Sequence, residues 1–401
     1  MPPNFDIVTF GCKVNQYESS RIAELMRQKG YIRAESPQAA DLVIVNSCTV
    51  TGNSDRKVKS LISRLKKDNP DVKVILCGCL TKAYPEKARE MNADEIIEGK
   101  FSNELPLSVQ SERTRAFLKI QDGCNRSCAY CIIPKARGSV KSHPVADIIT
   151  ETQMLINAGH KEIVITGINL CAYGEDTGLS SLTDIVETVC GINGAQRVRL
   201  GSLEPDMISE SDIVRLSRLP QLCPHFHLSL QSGSDSVLKR MNRLYTAAEF
   251  KKITGIIHKY FPNAALTTDI IAGFPGETEE EFAQTLTLAK EMKFAKIHAF
   301  AFSRREGTLA AEMTEQISQK IKRERVSRLT EVADNLRTKF FERLTGTVQQ
   351  VLTEKNNWGH TTCYTPVKIV GGENATQVSP NCIVNVKITR AEKEFCTGEI
   401  T

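Results

Sequence analysis

GCNRSCAYCIIPKARG, residues 123–138, decides how this chain is read. Cys124, Cys128 and Cys131 share one short loop, with gaps of three and two residues, and the next cysteine is Cys171. Three sulfurs do not close a tetrahedral zinc site. They suit three irons of a [4Fe–4S] cube whose fourth iron stays open to a small molecule. The competing reading is a zinc site completed by a distant cysteine. An open iron points to redox chemistry on a bound ligand, with Tyr130, between the last two cysteines, placed to pack on or bond to that ligand.

The residues around the loop set it in an α/β series. Apolar runs at Ala116–Ile120, Glu162–Thr166, Arg197–Gly201, His225–Leu230, Leu266–Ile271 and Lys296–Phe302 read as strands. Helical patterns fall between them near Pro144–Ala158, Leu182–Cys190, Ile208–Leu216, Ala247–Tyr260 and Glu279–Lys290. This alternation predicts a parallel (β/α)6 barrel, incomplete in its circumference, with chemistry at the carboxyl ends of its strands. A charged helix from about Glu315 to Leu344 leads out of it.

Upstream, FDIVTF, DLVIVNSC and KVILCGC read as buried parallel strands, with helices over NQYESSRIAELMRQKG and SDRKVKSLISRLKKD. The spacing predicts a small doubly wound α/β domain. Cys12, Cys48 and Cys79 each follow one of its strands, where ligands gather in open α/β sheets. Strand-end cysteines are also common as small buried hydrophobes. Cys77 lies two residues from Cys79, and its side chain is expected to point away from the Cys79 side. The polar stretch Ser102 to Arg115 reads as a linker. Downstream of Gly346, short β runs (TVQQVLTEK, PVKIVGG, CIVNVKITRAEKEF) broken at Gly371, Gly372, Asn374 and Pro380 predict a small all-β barrel. The expected domains are 1–112, 113–343 and 344–401.

Composition narrows the class. The 401 residues are 41% hydrophobic and 25% charged, and no apolar run approaches bilayer-spanning length. The opening MPPNFDIVTF has neither a basic region nor an apolar stretch of the secretory kind. Thirteen cysteines in such a chain suit a reducing cytoplasm and metal or catalytic thiols rather than disulfides. A net charge of +5 permits a nucleic-acid partner without demanding one. Basic residues cluster at Arg56, Lys57, Lys59, Arg64, Lys66 and Lys67 and again at Lys320, Lys322, Arg323, Arg325 and Arg328; each group is either a solvated helix face or a phosphate contact.

The CxxxCxxC loop resembles that of the radical S-adenosylmethionine (SAM) enzymes. The contexts TFGCKVNQYES, VNSCTVTGNSDRK and CGCLTKAYPE resemble the N-terminal domain of one branch, the methylthiotransferases. That likeness implies two [4Fe–4S] clusters, one on Cys124, Cys128 and Cys131 and one on Cys12, Cys48 and Cys79. It also implies SAM contacts from Tyr130, Gly167 in VITGINL, Ser202 and Glu204 in RLGSLEP, and Gln231 and Arg243 in FHLSLQSGSDSVLKRMNR. AGFPGET would lie against the adenine of SAM. FAFSRREGT departs from the family's usual run of a tyrosine and prolines, with Phe302, Arg305 and Glu306 in their places. The C-terminal barrel resembles the TRAM domain, an RNA-binding module.

WGHTTCYTPVKI and the TFGCKVNQYES opening are most similar to the MtaB-type branch. The likeness implies that SAM supplies both the methyl group and the radical that put a methylthio group on C2 of N6-threonylcarbamoyladenosine at position 37 of tRNA. An aromatic C–H of this kind resists acid–base chemistry, hence the radical. The implied partners are the tRNA anticodon stem-loop and an electron donor such as flavodoxin or ferredoxin; the sulfur donor is left open. Competing readings are the same reaction on isopentenyladenosine, methylthiolation of a ribosomal-protein aspartate, and a non-catalytic iron–sulfur protein that binds RNA or senses redox state.

Overall fold

In the computed structural model, residues 2–102, 105–110, 112–370 and 378–401 are described. The N-terminal strands form a five-stranded parallel sheet in the order Ile32–Arg33, Asn4–Thr9, Leu42–Ser47, Lys73–Gly78, Glu95–Ile96. Every residue of Leu42–Ser47 is buried because helices cover both faces of the sheet. Alternation along the strands sorts the core into two halves. Val43, Val45, Val74 and Leu76 pack with Val58 and Ile62 on one face, and Ile44 and Ile75 with Ile22 and Met26 on the other. Thr51 caps the helix Gly52–Asp68, accepting from Ser54 N at 3.3 Å.

The polar stretch ahead of the second domain is tied down along its described part. Gln110 exchanges two hydrogen bonds with the backbone of Phe117 (2.7 and 2.8 Å), and Arg21 Nε donates to Pro106 O at 2.9 Å.

All six strands read from the middle of the sequence are present and parallel. One of them is divided: Arg197–Leu200 pairs with Glu162–Thr166, while Ser202–Leu203 pairs with His225–Leu228. The break at Gly201 splits the wall into a three-stranded and a four-stranded sheet. Among the described residues the first strand, Arg115–Lys119, and the last, Lys296–Ala301, do not pair, so the barrel stays open. The charged helix Gln319–Glu342 lies along that last strand instead of simply leading away. Part of its basic cluster is tied up: Lys322 and Arg325 are buried, Arg325 Nη1 meets Glu277 Oε2 at 2.8 Å, and Arg328 meets Glu279 at 2.6 Å, while Lys320 and Arg323 are exposed. The upstream cluster differs, with Arg56, Lys57, Lys59, Arg64 and Lys67 exposed.

The C-terminal strands close a five-stranded barrel in the order Val348–Thr353, Trp358–Thr361, Pro366–Ile369, Cys396–Ile400, Ile383–Ala391. Gly371, Gly372 and Asn374, read as turn residues, lie outside the described residues. This small barrel docks beneath the amino ends of the large barrel's strands. Arg197 and Arg199 donate to Gln350 O (2.7 Å) and Thr362 O (2.8 Å), and Arg115 pairs with Glu354 at 2.6 Å. Among the described residues no helix is long and apolar enough to cross a membrane.

Candidate active site

The loop of Cys124, Cys128 and Cys131 follows the first barrel strand and folds back on itself, with Cys124 N donating to Gly138 O and Cys131 N to Cys128 O, both at 3.0 Å. All three thiols are partly exposed. Donors converge on the sulfurs: Arg126 N lies 3.4 Å from Cys124 Sγ, Arg243 Nη1 3.2 Å from Cys128 Sγ, and Asn169 Nδ2 3.9 Å from Cys124 Sγ. Burial pushes the Cys131 thiol up to about 12, so an ionised sulfur here requires a compensating positive group.

Cys12, Cys48 and Cys79 come together at the carboxyl ends of three adjacent strands, on loops distant in sequence. Gly11 is left-handed (φ 102°), and a Cβ there would fall 2.6 Å from Cys48 Cβ. Only glycine lets the Cys12 loop close onto Cys48. Cys12 Sγ and Cys79 Sγ flank one amide oxygen, Asn15 Oδ1, at 3.8 and 3.9 Å. Cys77 turns the other way, into the opposite core, its sulfur 3.7 Å from Val45 O. Burial raises the Cys48 thiol and pushes Cys79 up to about 12, against the lowering influence of Arg137. All cysteines are free thiols.

A single tetrahedral zinc would need its sulfurs about 3.8 Å apart. Among the described residues the one set of three metal-ligating side chains with atoms within 4.8 Å of one another is His227, Asp269 and His298. Both cysteine triads are therefore wider than one ion requires. Three soft donors, spread apart, with N–H groups aimed at sulfur, fit a [4Fe–4S] cluster.

Arg137, on the same loop as the first triad, joins the two sites. It donates to Cys79 Sγ at 3.2 Å and to Asn15 Oδ1, and it pairs with Glu18. Glu18 also meets Lys119 at 2.9 Å, and Lys119 meets Asp122 at 2.7 Å. Although burial alone would raise both carboxyls, these cations hold Glu18 and Asp122 below the ordinary range.

The departing run FAFSRREGT forms a second clamp. Arg305 Nη2 donates to Thr49 Oγ1 (2.6 Å) and Asp55 Oδ2 (2.7 Å), beside Cys48, while Tyr84 donates to Glu306 O at 2.8 Å and Lys87 pairs with Glu306 at 2.7 Å. Sequence reasoning gave neither Arg137 nor Arg305 a role. Their partners lie 58 to 256 residues away, and no local pattern reports that.

The residues expected to touch SAM divide into two groups. Glu204 and Arg243 are ion-paired, Arg126 joins them at 3.1 Å from Glu204, and Arg243 also reaches Cys128. Gln231 adopts a left-handed backbone (φ 64°) that bonds into the neighbouring strand through Asp269 O and Ile271 N, both at 2.9 Å. Ser202 is exposed at the divided strand. A Cβ at Gly167 would lie 2.9 Å from Gln121 Oε1, which receives the next two amides, Ile168 N and Asn169 N. Its lack of a side chain thus serves packing of the loop. Tyr130 packs against Phe274, Phe302 and Met241. The AGFPGET loop is braced from behind, Gly273 N donating to Glu277 Oε2 at 2.6 Å.

A cavity of about 220 Å³ opens beside the first triad and reaches the segment that follows Cys48. Cys131, Tyr130 and Gln231 line one side, Val50 and Thr51 beside Cys48 the other, and Asp269 and Phe300 lie on the barrel wall.

Residues 4–99 match the model described as Uncharacterized protein family UPF0004, and residues 118–289 match the Radical SAM superfamily. Among solved structures, the radical SAM methyltransferase TsrM from Kitasatospora setae aligns with a TM-score of 0.55 over 78% of this chain and 74% of that one, at 11% identity. The fold is that of a radical SAM enzyme. The chain is 36% identical, over 98% of its length and 95% of the relative, to the threonylcarbamoyladenosine tRNA methylthiotransferase MtaB of Bacillus subtilis. It is 37% identical to MtaB of Thermotoga maritima over 87% of this chain and 86% of that one. It is also 32% identical to the tRNA-2-methylthio-N(6)-dimethylallyladenosine synthase of Clostridium botulinum, over 98% and 96%. The chain belongs to the radical SAM methylthiotransferase family, MtaB branch.

Proposed function

We propose that this enzyme installs a methylthio group at C2 of N6-threonylcarbamoyladenosine at position 37 of tRNA. The observation that carries the reading is the cavity lined by Cys131 on one side and by Val50 and Thr51, the near neighbours of Cys48, on the other: carbon activation and sulfur delivery need one shared chamber. Cys124, Cys128 and Cys131 would hold one [4Fe–4S] cluster and Cys12, Cys48 and Cys79 a second. When bound, these clusters and SAM supply the electron, the radical and the methylated sulfur. The chain's residues do the positioning. Arg243 and Glu204, with Ser202 and Gln231, offer a guanidinium, a carboxylate and neutral polar groups suited to the carboxylate and ribose of SAM. The backbone at Gly167 offers carbonyls to its amino group, and Tyr130 closes the apolar side.

In this reading residues 1–112 carry the sulfur-transferring site and residues 113–343 the radical site. Residues 344–401, as a TRAM domain, add RNA contacts. The target base must leave its stack to enter the cavity, and the exposed basic face of Gly52–Asp68 suits the phosphates around it. The setting is cytoplasmic, with a flavodoxin- or ferredoxin-type reductant. Mass spectrometry of tRNA nucleosides from cells lacking the protein tests the assignment. Loss of 2-methylthio-N6-threonylcarbamoyladenosine is expected; loss of the dimethylallyl counterpart alone overturns it.

A further inference from the structure

The cavity does not end at the cysteines. Asp269, on its wall, belongs to a polar group inside the barrel. Asp269 and His298 are partners in strand register, and His227 Nε2 lies 3.5 Å from Asp269 Oδ2. Thr267 Oγ1 holds His227 Nδ1 at 3.0 Å, while His227 Nε2 is buried with no hydrogen-bond partner. From the facing domain comes Lys13, the residue after Cys12. Its electrostatic neighbours are Arg199, Cys12 and Asp269, and its field also reaches His225 and His298. Lys13 is itself exposed. Among the described residues no ion pair engages its ammonium, whereas Arg199 is already neutralised by Glu162 at 2.7 Å.

An ammonium without a partner, beside a buried imidazole nitrogen that is also unpartnered, calls for a ligand that brings an anion and hydrogen-bonding groups. We infer that Lys13, His227, Asp269 and His298 form the subsite for the N6 substituent of the target adenosine. Lys13 pairs with the threonyl carboxylate, and the His–Asp group bonds its hydroxyl and ureido groups. The inference rests on the substrate assignment above and deepens it. A dimethylallyl group offers no such partners and would strand the cation and the buried nitrogen, and a site built for polar groups strongly rejects an analogue lacking them. A divalent ion bound by the same His–Asp–His set is opposed by the ammonium beside it.

The test uses reconstituted holoprotein and three anticodon stem-loop RNAs. Their position 37 carries threonylcarbamoyladenosine, its threonine-amide analogue without the carboxylate, or dimethylallyladenosine. Binding is read by fluorescence anisotropy and product by mass spectrometry. The wild type should bind the first RNA at least ~10-fold tighter than the other two. Lys13→Met should bring all three level, and His298→Phe should narrow the gap. Iron content is measured alongside; should Lys13→Met lose iron, His298→Phe and Asp269→Asn carry the decision.

Variants that keep the wild-type ratio, or weaken all three RNAs equally, overturn the subsite alone. So does one additional zinc or ferrous ion bound by the wild type and lost in Asp269→Asn. A wild type that modifies the dimethylallyl RNA and ignores the threonylcarbamoyl RNA overturns the substrate assignment and the subsite with it.

Discussion

The two cysteine triads each gather three thiols, and they do so differently. Cys124, Cys128 and Cys131 sit on one loop, where local backbone bonds set the spacing. Cys12, Cys48 and Cys79 are carried by three separate strands, and the sheet sets their spacing. The first triad depends on a few residues. The second depends on a folded domain and on two arginines, Arg137 and Arg305, that reach it from the barrel. The difference separates a centre that is locally encoded from one that is globally assembled.

Mutations should expose that difference. Cys124→Ala is expected to remove the radical site, lowering 5′-deoxyadenosine release more than ~1,000-fold while roughly half the iron remains. A variant that still cleaves SAM would break the division of labour. Cys48→Ala should retain SAM cleavage within a few-fold and lose methylthio product, as read by paired assays of the two.

Arg137→Met removes one partner of a buried charged network and should cost about 3–5 kcal/mol of stability by denaturant unfolding. It should also lower iron at the Cys12 site before the Cys124 site. Equal loss from both would make the bridge merely structural. Arg305→Ala should cost about 1.5–3 kcal/mol and speed amide exchange across residues 49–55, leaving the Cys124 loop protected.

The last effect is a pH slope at the domain junction. Tyr17 donates to Glu151 Oε2 at 3.0 Å, the other carboxylate oxygen is buried without a partner, and burial raises Glu151 to about 7. A raised carboxyl favours the folded state when protonated. Its contribution is therefore full below about 4.5 and lost as pH rises through 7. Unfolding of the apoprotein should show the wild type losing about 2–3 kcal/mol between pH 5 and 8 that Glu151→Gln does not lose. Parallel profiles would remove Glu151 from the junction's energetics.

The same contrast explains how much the sequence disclosed. Regular strands and helices were legible because their apolar periods are local, from Leu42–Ser47 to Glu279–Glu291. Two strands of the small barrel, Trp358–Thr361 and Cys396–Ile400, escaped notice because they are short and their runs include glycine, histidine and threonine. The break at Gly201 and the tying down of residues 105–110 arise from packing between elements. In the site, the loop triad announces itself by spacing alone. The strand-end triad needed family contexts, and Lys13, Arg137 and Arg305 carry no signal until distant elements meet. At Gly167 the place of a side chain is taken by Gln121, a packing constraint that no local pattern reports.

Arg137 has one more consequence. A guanidinium keeps its proton throughout the range in which proteins fold, so the barrel contributes a permanent positive charge 3.2 Å from Cys79 Sγ. The N-terminal domain is in that sense an incomplete container. Cut away at residue 112, it would keep all three thiols and lose the counter-charge that favours their ionised form, so the barrel completes the electrostatics of a centre whose sulfurs it does not supply.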